Sequence, residues 1–221
     1  MNTRRYFGLA ALLVVLSAAV GIAALPALPE RIVTHWDAAG DPNGTASAAV
    51  GIWLLPGLSA ALLALFAVLP RIDPLGENVA AFREHYDRLV VVLAAYLTAL
   101  HVGMIAFNLG VEFDFVAFVL LGVAGLFYYI GTILPHVEPN WFVGIRTPWT
   151  LSSDAVWDRT HALGAKLFKL AGVLAAVGVA FGEYAVFFVL VPAVATAVVT
   201  AAYSYVLYRR VDADGTLPSD E

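Results

Sequence analysis

Six long apolar stretches, at roughly 6–25, 49–69, 89–109, 115–135, 165–183 and 185–207, constrain this chain more than any other feature. About 20 consecutive apolar residues span the hydrocarbon layer of a bilayer. In that layer no water satisfies exposed backbone amides, so only helices and closed barrels cross it. The stretches are continuous rather than alternating, which selects helices. The charge between them follows a rule as well. Arg4 and Arg5 precede the first stretch, Arg71, Arg83 and Arg88 follow the second, and Arg146, Arg159, Lys166 and Lys169 follow the fourth. Arg209 and Arg210 follow the sixth, so eleven of the twelve basic residues fall on one face and Arg31 alone on the other. Loops rich in Lys and Arg stay in the cytoplasm. The fold class predicted is therefore all-α: a polytopic integral membrane protein with six transmembrane helices and both termini cytoplasmic, located in the cell membrane as a multi-pass protein.

Composition agrees and narrows the chemistry. Apolar residues are 61% of 221, against about 45–50% in an ordinary soluble domain. With no cysteine, disulfides, thiolate metal sites, iron–sulfur clusters and cysteine nucleophiles are excluded. The net charge of −5 gives no basic footprint, so no direct nucleic acid binding is expected. Thr3-Arg4-Arg5-Tyr6-Phe7 ahead of an apolar run resembles a twin-arginine signal. The run of about 20 residues exceeds a signal core of about 7–15, so an uncleaved first span is expected.

Four units follow along the sequence. Residues 1–70 form an N-terminal helical hairpin with an outer loop, and 71–135 a central hairpin. Residues 136–208 hold a distinctive inner loop and a C-terminal hairpin, and 209–221 a disordered acidic tail. In the outer loop, Pro26 and Pro29 end the first helix, residues 30–36 suit an extended strand, and Asp41-Pro42-Asn43-Gly44 suits a turn. The second span is expected to end at Pro70, and residues 77–88 to form a surface helix. In the inner loop, Ser152 or Ser153 suits the cap of a helix from Asp154 to about Leu163 that stops at Gly164. Trp157 and His161 then share one face. Gly178 and Gly182, four apart, suit close helix approach.

The inner segment from Asn140 to His161 is dense in side chains that stack and hydrogen-bond. Arg146 stands out because guanidinium can clamp a carboxylate, a set of carbonyls or a lipid phosphate, with Asp154 as its expected partner. The plainer reading is a membrane-surface loop pinned by aromatic anchors, with Arg146 on headgroups. On the outer side, His35 between Thr34 and Trp36 is either a ligand contact or a hydrogen bond within its own loop. His85, His136 and His161 lack helical metal-pair spacing, so no metal and no cofactor is expected. His101 lies inside the third span, where ionisable groups are functional suspects; a neutral histidine bonded to a neighbouring helix is the preferred reading. No Gly-x-Ser-x-Gly elbow exists, and no catalytic chemistry is expected.

Two regions together resemble the SdpI family of bacterial and archaeal membrane proteins. Leu28-Pro29-Glu30-Arg31-Ile32-Val33-Thr34-His35-Trp36 resembles its "LP-x-x-I-x-x-H-W" module. Asn140, Trp141, then Gly144-Ile145-Arg146-Thr147-Pro148-Trp149-Thr150-Leu151-Ser152, then Trp157 and Thr160-His161, are similar to its C-terminal signature. Two positions depart from it: Thr132 follows Gly131 where an asparagine is common, and Thr45-Ala46-Ser47 is neutral where a basic residue is common. The resemblance implies an immunity and signal-receptor protein that confers resistance to an antimicrobial peptide toxin and holds a transcriptional repressor at the membrane. The partners implied are the lipid bilayer, a peptide toxin outside and a cytoplasmic repressor protein. His35, Trp36 and Asp37 would meet the peptide. Asn140, Arg146, Thr147, Trp149, Asp154, Trp157 and His161 would build the inner surface. The rival readings are a small-solute or lipid transporter, or a membrane enzyme using Arg146, Asp154 and His161.

Overall fold

The computed structural model describes residues 2–213. It contains eight α-helices among those residues: α1 (Thr3–Ala24), α2 (Ala48–Ile72), α3 (Gly76–Ala81), α4 (Arg83–Asn108), α5 (Phe115–Ile133), α6 (Pro148–Leu151), α7 (Asp154–Gly178) and α8 (Ala185–Ala213). Among the described residues five segments are long and apolar enough to cross a membrane: Thr3–Ala27, Ala48–Ile72, Arg83–Asn108, Phe115–His136 and Asp154–Val211. The last is 58 residues long and folds back on itself. Gly182 adopts φ +57° and ψ −124° there, a conformation that favours glycine, and the arms α7 and α8 pack together. Gly178 lies against Phe188, where a methyl group would sit 2.2 Å from its Cβ. The two glycines expected to act alike thus divide the work: one is the contact, the other the turn.

The helices form two groups, α1–α2–α4 and α5–α7–α8, joined along α4 and α5. Their outer faces carry exposed Leu12, Val15, Ile22, Phe187, Val191 and Val198. Patches this extensive are foreign to a monomeric soluble surface and natural against lipid. The structure and apolar pattern are those of a multi-pass membrane protein.

Pro70 inside α2 is tolerated because another group meets the carbonyl it releases. Pro70 has no amide hydrogen for the Phe66 carbonyl, and Tyr86 of α4 donates its hydroxyl there instead, at 2.6 Å. The helix therefore runs past Pro70, where its end was expected, to Ile72. At mid-bundle, buried His101 of α4 is bonded through Nδ1 to Ser17 of α1 at 2.8 Å.

Three local expectations are corrected. The architecture is helical, but β1 (Arg31–Trp36) and β2 (Pro42–Ser47) pair as an antiparallel hairpin. Its reversal falls at Asp37–Asp41, ahead of the expected Asp41–Gly44, because Gly40 takes φ +95° and the Asp37 carboxylate accepts from the amides of Ala39 and Asp41. The helix expected to stop at Gly164 continues as α7 to Gly178. Gly164 is there for room: a methyl group on it would sit 2.3 Å from Ile145 Cδ1. At the chain end, α8 runs through residues 209–213 of the expected tail, and 214–221 lie outside the described residues.

The hairpin is docked, not loose. Ile32 is fully buried against Ala48, Ile52 and Met104. Asn108, at the end of α4, accepts from the Val33 amide at 2.7 Å and donates to the Val33 carbonyl at 2.9 Å. One side chain thus imitates a neighbouring strand and satisfies the edge. Arg31, the lone base on this side, is bonded across the hairpin to the Thr45 hydroxyl and carbonyl.

Candidate functional site

The sequence-selected residues separate to the two ends of the bundle. The 26 residues of α4, about 39 Å at 1.5 Å each, run between those ends, with Asp87 near one and Asn108 at the other.

At the Arg146 end, the loop after α5 is built around buried polar groups. Asn140 is fully buried. Its Oδ1 accepts from the amides of Phe142 and Val143 at 2.9 and 2.6 Å, and its Nδ2 donates to the carbonyls of Glu138 and Val143 at 2.8 Å each. Trp157 is fully buried on α7, donates its indole N–H to the Val137 carbonyl at 2.7 Å, and stacks on His161 with ring centres 4.1 Å apart. His161 Nε2 accepts the Ile145 amide at 3.0 Å, so Nδ1 carries the hydrogen and donates to the Trp157 carbonyl at 2.9 Å. Those partners assign one neutral tautomer. Gly144, at φ +115°, passes so near that a methyl group would lie 2.4 Å from His161 Nε2.

The next turn is α6. Thr147 caps it, accepting from the Thr150 amide at 3.1 Å, while the Thr150 hydroxyl accepts from the Thr147 amide at 2.9 Å and donates to the Ile145 carbonyl at 2.9 Å. Reciprocal capping makes a four-residue helix stable enough to persist. The Thr147 hydroxyl also meets Ser204 of α8 at 3.0 Å, and Trp149 packs on Tyr205. Ser153 caps α7.

Arg146 is exposed and donates to the Trp141 carbonyl. The expected partnership with Asp154 does not form: Asp154 is exposed in the first turn of α7, and no ion pair joins the two. Among the described residues the ion pairs are Arg83–Asp87 and Arg88–Glu84, both in the first turns of α4. Nor do Arg146, Asp154 and His161 converge as a catalytic group would, since His161 is buried with both ring nitrogens engaged. His85 and His136 lie ring on ring at 4.3 Å. No group of three or more His, Cys, Asp or Glu among the described residues could hold a metal ion.

At the other end, His35, Trp36 and Asp37 border one cavity of about 500 Å³ between the hairpin and α2, α4, α5 and α8. Leu54, Leu100, Met104 and Val119 supply its apolar wall. Trp36 stacks on Phe115 at 4.0 Å and meets Phe107 edge-on at 5.1 Å. Exposed His35 is bonded through Nδ1 to Asn43 Oδ1, and Asp37 holds the reversal. The aromatic cluster of Phe107, Phe113, Phe115 and Phe118, of which Phe115 lines the cavity, was not singled out from sequence, although four phenylalanines within twelve residues were a signal of it. The strand-like role of Asn108 depends on where β1 lies.

The sequence model of the SdpI/YfhL protein family matches residues 136–204, the loop, α7 and most of α8. A second model, for a domain of unknown function (DUF1648), matches residues 12–60, including the whole β-hairpin. The chain is also 26% identical over 187 residues, 84% of its length and 87% of the relative's, to the immunity protein SdpI of Bacillus subtilis strain 168.

The chain is thus similar to the SdpI/YfhL family over residues 136–204 and to this immunity protein over most of its length. No solved structure matches it. The SdpI-matching region holds the buried network of Asn140, Thr150, Trp157 and His161. The second region holds His35, Trp36 and Asp37 at the cavity.

Proposed function

We propose that this protein is a membrane immunity protein of the SdpI family, protecting its cell against an antimicrobial peptide that acts at the bilayer. The observation that carries the reading is the apolar cavity of about 500 Å³ roofed by His35, Trp36 and Asp37. It suits an apolar side chain or turn of a peptide, while the polar groups at the roof suit its backbone. The similarity to a protein named for immunity, over most of both chains, supports the same reading.

In this proposal Asp154–Val211 crosses the membrane twice, giving six crossings with both termini in the cytoplasm. The cavity then faces outward, and the loop around Arg146 faces the cytoplasm beside the basic residues. Arg146, Trp141 and Trp149 form a presented surface there, suited to a cytoplasmic repressor protein. Asn140, Thr147, Trp157 and His161 brace it. Peptide at the cavity acts on that surface only through a difference in affinity between two arrangements of the bundle.

The test is survival of a peptide-sensitive cell expressing the wild type, His35→Ala or Arg146→Ala, at equal membrane abundance. Protection by the wild type that His35→Ala weakens supports the reading. A wild type that gives no protection against any membrane-active peptide tried rejects it.

A further inference from the structure

A second cavity, of about 280 Å³, lies between α7, α8 and the segment 145–147. Its walls are Ile145 and Phe168 on one side and Ala193, Ala197 and Ala201 on the other, with Arg146 at the loop end. We infer that this groove holds an acyl chain of an anionic phospholipid, with the lipid phosphate on Arg146.

The argument begins with what the groove opens into. Ala197 is exposed on an α8 face whose neighbours Val194 and Val198 are among the most exposed apolar residues of the chain. That face meets hydrocarbon, so the groove fills with lipid and not with water. Of its three threonines, Thr147 and Thr200 have hydroxyls already engaged within the protein, with Ser204 at 3.0 Å and with the Thr196 carbonyl at 2.8 Å. An apolar chain fits such a wall.

Chain burial cannot by itself select a lipid. Tails are as apolar as the side chains they would touch, so moving from bilayer to groove gains little. Selection rests on the headgroup, and there the groove ends in an unneutralised cation. Arg146 is exposed and has no carboxylate partner among the described residues, and its bond to the Trp141 carbonyl steadies the guanidinium without cancelling its charge. Guanidinium has five donors in a planar fork that matches two phosphate oxygens. Exposed Trp141 beside it belongs at headgroup level, where tryptophans concentrate.

The experiment is native mass spectrometry of the full chain in detergent, titrated with dioleoyl phosphatidylglycerol, dioleoyl phosphatidylcholine or inorganic phosphate. The variants are Arg146→Ala and Ala197→Phe; the latter fills the groove from its lipid-facing side. Phosphatidylglycerol is expected to bind about tenfold more tightly than phosphatidylcholine, the worth of a charge-assisted contact. Arg146→Ala should abolish that preference, and Ala197→Phe should weaken both lipids. Inorganic phosphate should not compete. Equal binding of the two lipids by the wild type overturns the inference. So does lipid binding that survives Ala197→Phe undiminished, or full competition by inorganic phosphate, which would make the site one for a free anion.

Discussion

Asn140 and Arg146 lie six residues apart in one loop and differ in what surrounds them. Every polar valence of the Asn140 amide is used inside the fold, whereas Arg146 projects outward from a single backbone contact. Removing a buried partner leaves donors and acceptors unsatisfied at about 1–3 kcal/mol each. Asn140→Ala should therefore destabilise the protein by about 2–3 kcal/mol, read as a lowered unfolding midpoint in detergent. Arg146→Ala should stay within about 0.5 kcal/mol of wild type, as exposed positions do. Equal effects would mean that Arg146 belongs to the brace. Gly144→Ala is the sharper probe of the histidine contact. It forces a side chain into φ +115° and against His161, at roughly 1–2 kcal/mol for the backbone alone, and should lower the unfolding midpoint similarly. A midpoint unchanged by Gly144→Ala would remove His161 from its assigned place.

Among the elements, the β-hairpin is the one whose attachment can be cut without disturbing the helices. Ile32 and Asn108 hold it. Asn108→Leu removes both bonds to Val33 and should expose residues 31–47 to protease, while helix content by circular dichroism stays unchanged. Protection equal to wild type would show that the apolar contacts of Ile32 and Trp36 suffice. The hairpin also marks where sequence reading reached its limit. The long helices followed from apolar length, because lipid leaves few alternatives, and Ser153 was readable as a cap. The strand at 31–36 was readable as extended, but its partner was not, since Pro42-Asn43-Gly44 reads locally as a turn and becomes a strand only beside β1. Gly164 misled for a related reason. A glycine within a helix signals a stop by propensity, and only the position of Ile145 reveals it as a place of close contact. The missing Arg146–Asp154 pair shows the same limit, as proximity in sequence fixed neither direction.

At the scale of the whole molecule, the account joins two ends through a bundle whose two three-helix groups meet along α4 and α5. If Asp154–Val211 crosses twice, reporters fused to the N-terminus and after Ala213 should both be active on the cytoplasmic side. Reporters on opposite sides would contradict the six-crossing arrangement. The central claim is that protection depends on the cavity under the hairpin. Leu54 and Leu58 are both exposed, one turn apart on α2, but of the two only Leu54 lines that cavity. The decisive measurement is the minimal inhibitory concentration of a membrane-active peptide against sensitive cells carrying wild type, Leu54→Trp or Leu58→Trp at equal abundance. The account predicts that Leu58→Trp protects as wild type does and that Leu54→Trp, with its cavity filled, does not. Full protection by Leu54→Trp would contradict it.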